Sequence, residues 1–117
     1  MPYSEGATPF HYLSAASTNA TSVLARHCRL EGVFAINTTA TVYYLKFYDK
    51  ASAPTVGTDV PVLTIPVPAS ASGAGVVIPL PQGVKFVAGL AFALTGAAAD
   101  SDSTNAATGV TINLLAR

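Results

Sequence analysis

Thr41-Val42-Tyr43-Tyr44-Leu45-Lys46-Phe47-Tyr48-Asp49-Lys50 is the stretch on which the reading of this chain turns. Tyr43, Leu45 and Phe47 fall on one side of it, and Val42, Tyr44, Lys46, Tyr48 and Lys50 on the other. Alternation with a period of two, rich in aromatic and β-branched residues, marks a strand with one face in a core and one partly in water. This strand is expected at the centre of an all-β domain.

Working outward, the segments on either side repeat the pattern. Cys28 to Thr38 sets Cys28, Leu30, Phe34 and Ile36 against Arg29, Glu31 and Asn37, and Gly32 in its middle suggests a bulge or a close backbone approach. The short link Asn37-Thr38-Thr39-Ala40 would make it a hairpin with the central strand. Upstream, Phe10 to Ala16 and Thr21 to Ala25 read as strands joined by a turn at 17–19. Residues 1–9 read as an extended N-terminal arm, because Pro2, Gly6 and Pro9 exclude a helix and little there is apolar.

Downstream, Val60 to Pro68 is a strand that should lie at a sheet edge or end at Pro66, since proline cannot donate to a ladder. Val76 to Ile78 is a short strand and 79–83 a turn. Val84 to Leu94 places Val84, Phe86, Ala88, Leu90, Phe92 and Leu94 on a core face. The small residues Val87, Gly89, Ala91 and Ala93 lie opposite, with Lys85. A loop at 96–108 precedes a last strand from Gly109 to Arg117. About eight short strands and no helix imply an antiparallel sandwich or a closed barrel. Eight strands in this length best suit an antiparallel β-sandwich, jelly-roll-like, formed by residues 10–117 as one domain, with a seven-strand immunoglobulin-like sandwich as the competing topology.

Half of the 117 residues are hydrophobic but only 10% are charged, and six basic residues balance six acidic ones. Such a surface favours a protein covered by other protein. It disfavours nucleic acid, which needs clustered cations, and an anionic membrane surface for the same reason. No apolar run is long enough to span a bilayer. The start, Met1-Pro2-Tyr3-Ser4-Glu5-Gly6, lacks the regions of a signal peptide. Cys28, the single cysteine, reads as a buried structural thiol.

Chemistry-bearing motifs are scarce, and no catalytic, cofactor or metal residue is expected. Asp100-Ser101-Asp102-Ser103-Thr104 spaces its carboxylates as a calcium loop does, but Asn105 stands where the turn glycine belongs and no acidic residue closes the set. His11 and His27 have no partner at metal-ligand spacing. No Gly-x-Ser-x-Gly elbow is present, and Gly73-Ala74-Gly75 precedes a strand rather than a helix. Tyr44 and Tyr48 share the outer face of the central strand, the arrangement a sugar-stacking platform would need. The small apolar residues Val87, Gly89, Ala91 and Ala93 are instead expected to form a protein contact surface, joined by Pro2 and Tyr3 of the arm.

The stretch from Tyr44 through Asp49-Lys50-Ala51-Ser52-Ala53-Pro54-Thr55-Val56-Gly57-Thr58-Asp59 to Pro66 resembles small virion proteins of tailed bacteriophages, as do the Ala-Asp-Ser-Asp loop and the Asn113-Leu114-Leu115 ending. The resemblance implies a non-enzymatic capsid decoration or cement protein. Such a protein is made in the host bacterial cytoplasm, sits on the capsid surface as a dimer or trimer and bridges major capsid proteins. A tail or neck component is the alternative within the same resemblance, and a carbohydrate-binding module is the third reading.

Overall fold

The computed structural model describes residues 6–117, and all its regular structure is β. Eight strands follow in order: β1 (Thr8–Leu13), β2 (Thr21–Leu24), β3 (Cys28–Asn37), β4 (Tyr43–Asp49), β5 (Leu63–Val67), β6 (Ala74–Phe86), β7 (Leu90–Thr95) and β8 (Val110–Ala116). They form two four-stranded antiparallel sheets, β1-β8-β3-β6 and β2-β7-β4-β5. The antiparallel sandwich expected from the sequence is therefore what the chain adopts. Across the two sheets β1 pairs with β8, β2 with β7, β3 with β6 and β4 with β5.

The alternation read from the sequence explains the core. Tyr43, Leu45 and Phe47 of β4 and Leu90, Phe92 and Leu94 of β7 face Leu30, Val33 and Ala35 of β3 and Val110, Ile112 and Leu114 of β8. Phe92 joins the layers through edge-on contacts with Phe10 and Tyr12 of β1, at centroid separations of 6.0 and 5.2 Å. Edge-to-face aromatic pairs of this kind add roughly 0.5–1.5 kcal/mol beyond area burial. Cys28 is buried in the same core, and burial pushes its thiol pKa up.

Four boundaries differ from the sequence reading. β3 and β4 are not a hairpin, because the chain switches sheets between them. Asn37 fixes that corner, its Nδ2 donating to the Thr41 and Val67 carbonyls and its Oδ1 accepting from Thr39. The segment from Val84 to Leu94 is two strands rather than one. Asp49 turns the chain at 87–89 by accepting hydrogen bonds from the amides of Val87, Ala88 and Gly89 at 2.8–3.3 Å, so Ala88 is exposed rather than in the core. β6 continues through Pro79 and Pro81, which it can do because it is an edge strand paired only with β3. β1 begins at Thr8, paired with Ala116, inside the stretch read as an arm.

The bulge expected at Gly32 is present, and it has a larger effect than anticipated. The register shifts between Leu30 and Gly32 on both sides of β3, reversing which residues face inward. Val33 and Ala35 enter the core, whereas Phe34 and Ile36, read as core residues, point outward with Ile36 48% exposed. Pro66 sits in β5, an edge strand, as read.

Candidate protein-contact surface

The small-residue face of β7 is not free. Ala91 and Ala93 are fully buried with Tyr48 beneath Val56 of the β4–β5 loop. The β7–β8 loop completes this cover, coming within van der Waals reach of the other loop where Gly57 approaches Ser101 and Ser103. Gly89 is buried too: a Cβ there would stand 2.6 Å from the Leu24 carbonyl oxygen and 2.7 Å from that of Lys50. The expected contact surface at Gly89, Ala91 and Ala93 is thus corrected. Ala91 and Ala93 are small because loops of the same chain lie on them, and Gly89 because the backbone at Leu24 and Lys50 leaves no room for a Cβ. Val87 is exposed, but in the turn between β6 and β7 rather than on a sheet face. Pro2 and Tyr3 lie outside the described residues.

The loops form a roof held by polar side chains. Lys46, read as wet, is buried, and its ammonium donates to the carbonyl oxygens of Ala99 at 2.6 Å and Asp102 at 3.4 Å. Burial pushes its pKa down against the pull of the Asp102 and Asp100 carboxylates. The loop with calcium-like spacing is therefore closed from within by a lysine. Among the described residues no group of histidine, cysteine and acidic side chains is placed to hold a metal. Asp102 accepts from the amides of Ala97 and Thr104 and from Thr104 Oγ1, while Asp59 pairs with Lys50 at 2.6 Å and accepts from the Thr55 amide. The same roof removes the tyrosine platform: Tyr48 is 1% exposed and cannot stack on a sugar.

These bonds set a pH dependence. Asp102, Asp49 and Asp59 all have pKa values below the ordinary aspartate value, held down respectively by the Thr104 hydroxyl, the Val87 amide and the Lys50 ammonium, each with help from further donors. A carboxylate with a depressed folded pKa stabilises fully above its unfolded pKa of about 3.9, and loses that contribution as pH falls through its folded value. Acidification below about pH 4 is expected to loosen the roof before the core. Amide exchange at Ala97 and Thr104 should accelerate, relative to core amides such as Leu45, more than in Asp102→Asn at the same pH, and exchange at Val87 to Gly89 more than in Asp49→Asn. Uniform acceleration across core and roof would refute this.

The apolar surface lies on the opposite side. Because the Gly32 bulge turns Phe34 and Ile36 outward, the outer face of the first sheet carries three cross-strand rows. They are Pro9, Leu115, Gly32 and Pro79; His11, Asn113, Phe34 and Val77; and Leu13, Thr111, Ile36 and Gly75. Leu13 is 66% and Val77 72% exposed. The centre is tied down, with His11 Nδ1 2.6 Å from Asn113 Oδ1 and Asn113 Nδ2 donating to the Phe34 carbonyl. No Lys, Arg, Asp or Glu falls in these rows. With four strands about 4.8 Å apart, the rows cover roughly 300–400 Å², the scale of the largest apolar patch a monomer normally exposes.

One end of this face is basic. Lys85 of β6 is in register with Arg29 of β3, and Arg29 exchanges both backbone hydrogen bonds with Arg117, just beyond β8. Like charges directly opposite one another destabilise a sheet. Glu31, on the bulge, is the one carboxylate side chain among them, 3.9 Å from Arg29 and 3.4 Å from Arg117.

Comparison with protein-family models, with curated proteins and with solved structures finds no match to this chain.

Proposed function

We propose that the chain is a non-enzymatic structural protein of a phage virion, a capsid decoration protein that bridges major capsid proteins on the head surface. The observation that carries the reading is the outer face of the first sheet, mostly apolar and without Lys, Arg, Asp or Glu in its three rows, on a chain whose few charges leave it poorly suited to life as an isolated monomer. The resemblance of Tyr44 to Pro66 to small virion proteins of tailed phages supports the setting. That stretch spans β4, half of the roof and β5, which is structural framework rather than a reaction centre. The role needs no nucleophile or oriented base.

Decoration works by adding buried area at many equivalent junctions. Each contact can be weak, because symmetric copies act together against the outward pressure of packaged DNA. Purified particles of the phage encoding the chain should carry it in numbers comparable with the major capsid protein. Heads assembled without it should lose their DNA at a lower temperature, and adding the purified chain should restore the difference. A handful of copies per particle would place it in the tail or neck instead, and heads of unchanged stability without it would end the decoration reading.

A further inference from the structure

The zero net charge of this chain hides a segregation between its two sides. The face with the apolar rows ends in Lys85, Arg29 and Arg117 against Glu31. The roofed side carries Asp59, Asp100 and Asp102 against Lys50 and the buried Lys46, while Asp49 holds the β6–β7 turn with Arg26 in reach of the same end. Two excess positive charges on one side therefore face one excess negative charge on the other. The surfaces between the charges also match. The roof exposes Ala51, Ser52 and Ala53 from one loop and Ala97, Ala98, Ala99 and Ser101 from the other, a low surface of small side chains on which the apolar rows can settle.

We infer that copies of this chain associate front to back, the outer face of the first sheet of one copy resting on the loop roof of the next, with its basic row facing the neighbour's Asp59 and Asp100. The occupant is a second copy because both halves of the match, in charge and in texture, are on the same chain. A two-fold pairing of two first-sheet faces would leave both basic rows without acidic partners. A front-to-back contact is heterologous, so it closes into a ring or continues as a filament according to the rotation between copies. The apolar rows are about half the roughly 800 Å² per partner of a standard stable interface, so a single contact is weak and the assembly forms at high concentration or on a scaffold. This inference rests on the apolar face being a protein contact surface, but not on the virion setting.

The test uses the purified full chain alone. Sedimentation velocity should show a mass that rises with concentration at low ionic strength and falls towards the monomer at about 1 M salt, where the Debye length is about 3 Å. The front variant Val77→Glu with Lys85→Glu and the back variant Ala98→Lys with Asp100→Lys change exposed side chains only, and each should keep the wild-type melting temperature. Each alone should associate at least about tenfold more weakly than wild type. Mixed in equal amounts they should give a one-to-one dimer and nothing larger, because the intact back of the first accepts the intact front of the second. Three results would overturn the inference: a wild-type chain that stays monomeric at every concentration and salt, a back variant that associates as wild type does, or a mixture that remains monomeric. None of them bears on whether the chain is found on phage heads, which the particle measurements decide.

Discussion

Ala91→Lys is expected to unfold the protein or tear the roof from the second sheet, at a cost of at least about 3 kcal/mol. Ala91 stands directly opposite Tyr48 in the β4–β7 ladder and is fully buried, with Val56 closing over the pair. A lysine there adds three carbons and a nitrogen to a space already filled. It also sets a second ammonium beside Lys46, whose own charge is accommodated only because Ala99 and Asp102 offer carbonyl oxygens. Total stabilities of about 5–15 kcal/mol leave little margin for such a change. Denaturant midpoints with limited proteolysis of the 51–59 loop check it. A variant with an unchanged midpoint and an uncut loop would show that the roof does not seat on Ala91.

Phe47→Ala carries the second large effect, about 3–5 kcal/mol, the usual loss on truncating a buried aromatic. Phe47 is fully buried in the main core, paired in register with Phe92 on one side and Leu63 on the other. Alternation along β4 suggests that Tyr48→Ala would be far milder, since Tyr48 points the other way. The structure predicts otherwise. Tyr48 is 1% exposed, so its truncation leaves a cavity under the roof and should cost nearly as much. Tyr48→Phe separates packing from polarity, because Tyr48 Oη is buried with no protein hydrogen-bond partner among the described residues. Removing that hydroxyl should leave stability unchanged or raise it by about 1 kcal/mol. A marked loss in Tyr48→Phe would mean that the hydroxyl is satisfied after all.

These contrasts show what the sequence can and cannot disclose here. Inward-facing positions of β4, β7 and β8 were legible because each strand keeps its period of two from end to end. β3 was not, since the bulge at Gly32 inserts one residue and inverts every position after it. Gly32 advertises a bulge, but no local signal says on which side of it the core residues begin. The candidate surface was misplaced for a related reason. Small apolar side chains on an outer face fit equally a partner or a loop of the same chain, and only the packing of 51–59 against 96–104 decides between them. Lys46 would have been the better clue. A lysine on the roofed face becomes informative once carbonyl oxygens of a distant loop are seen to receive it, a relation between residues 53 positions apart that periodicity does not encode. The segregation of charge was hidden by the same distance: Lys85, Arg29 and Arg117 are remote in sequence and adjacent only across strands.

The position of β8 has a consequence for how the protein is made. It lies between β1 and β3, bonded to both, so the first sheet has a gap in its middle until residues 110–116 are available. During synthesis β1 and β3 therefore wait with open edges. The core rows that end in Ile112 and Leu114 stay unfilled, and Thr8 cannot meet Ala116 until nearly the whole stretch between them has left the ribosome. Folding of a chain wired this way cannot be completed before residues 110–116 emerge, and it is slow compared with one built from neighbouring contacts. A ribosome stalled before Val110 would display an aggregation-prone, half-built sheet rather than a smaller version of the fold.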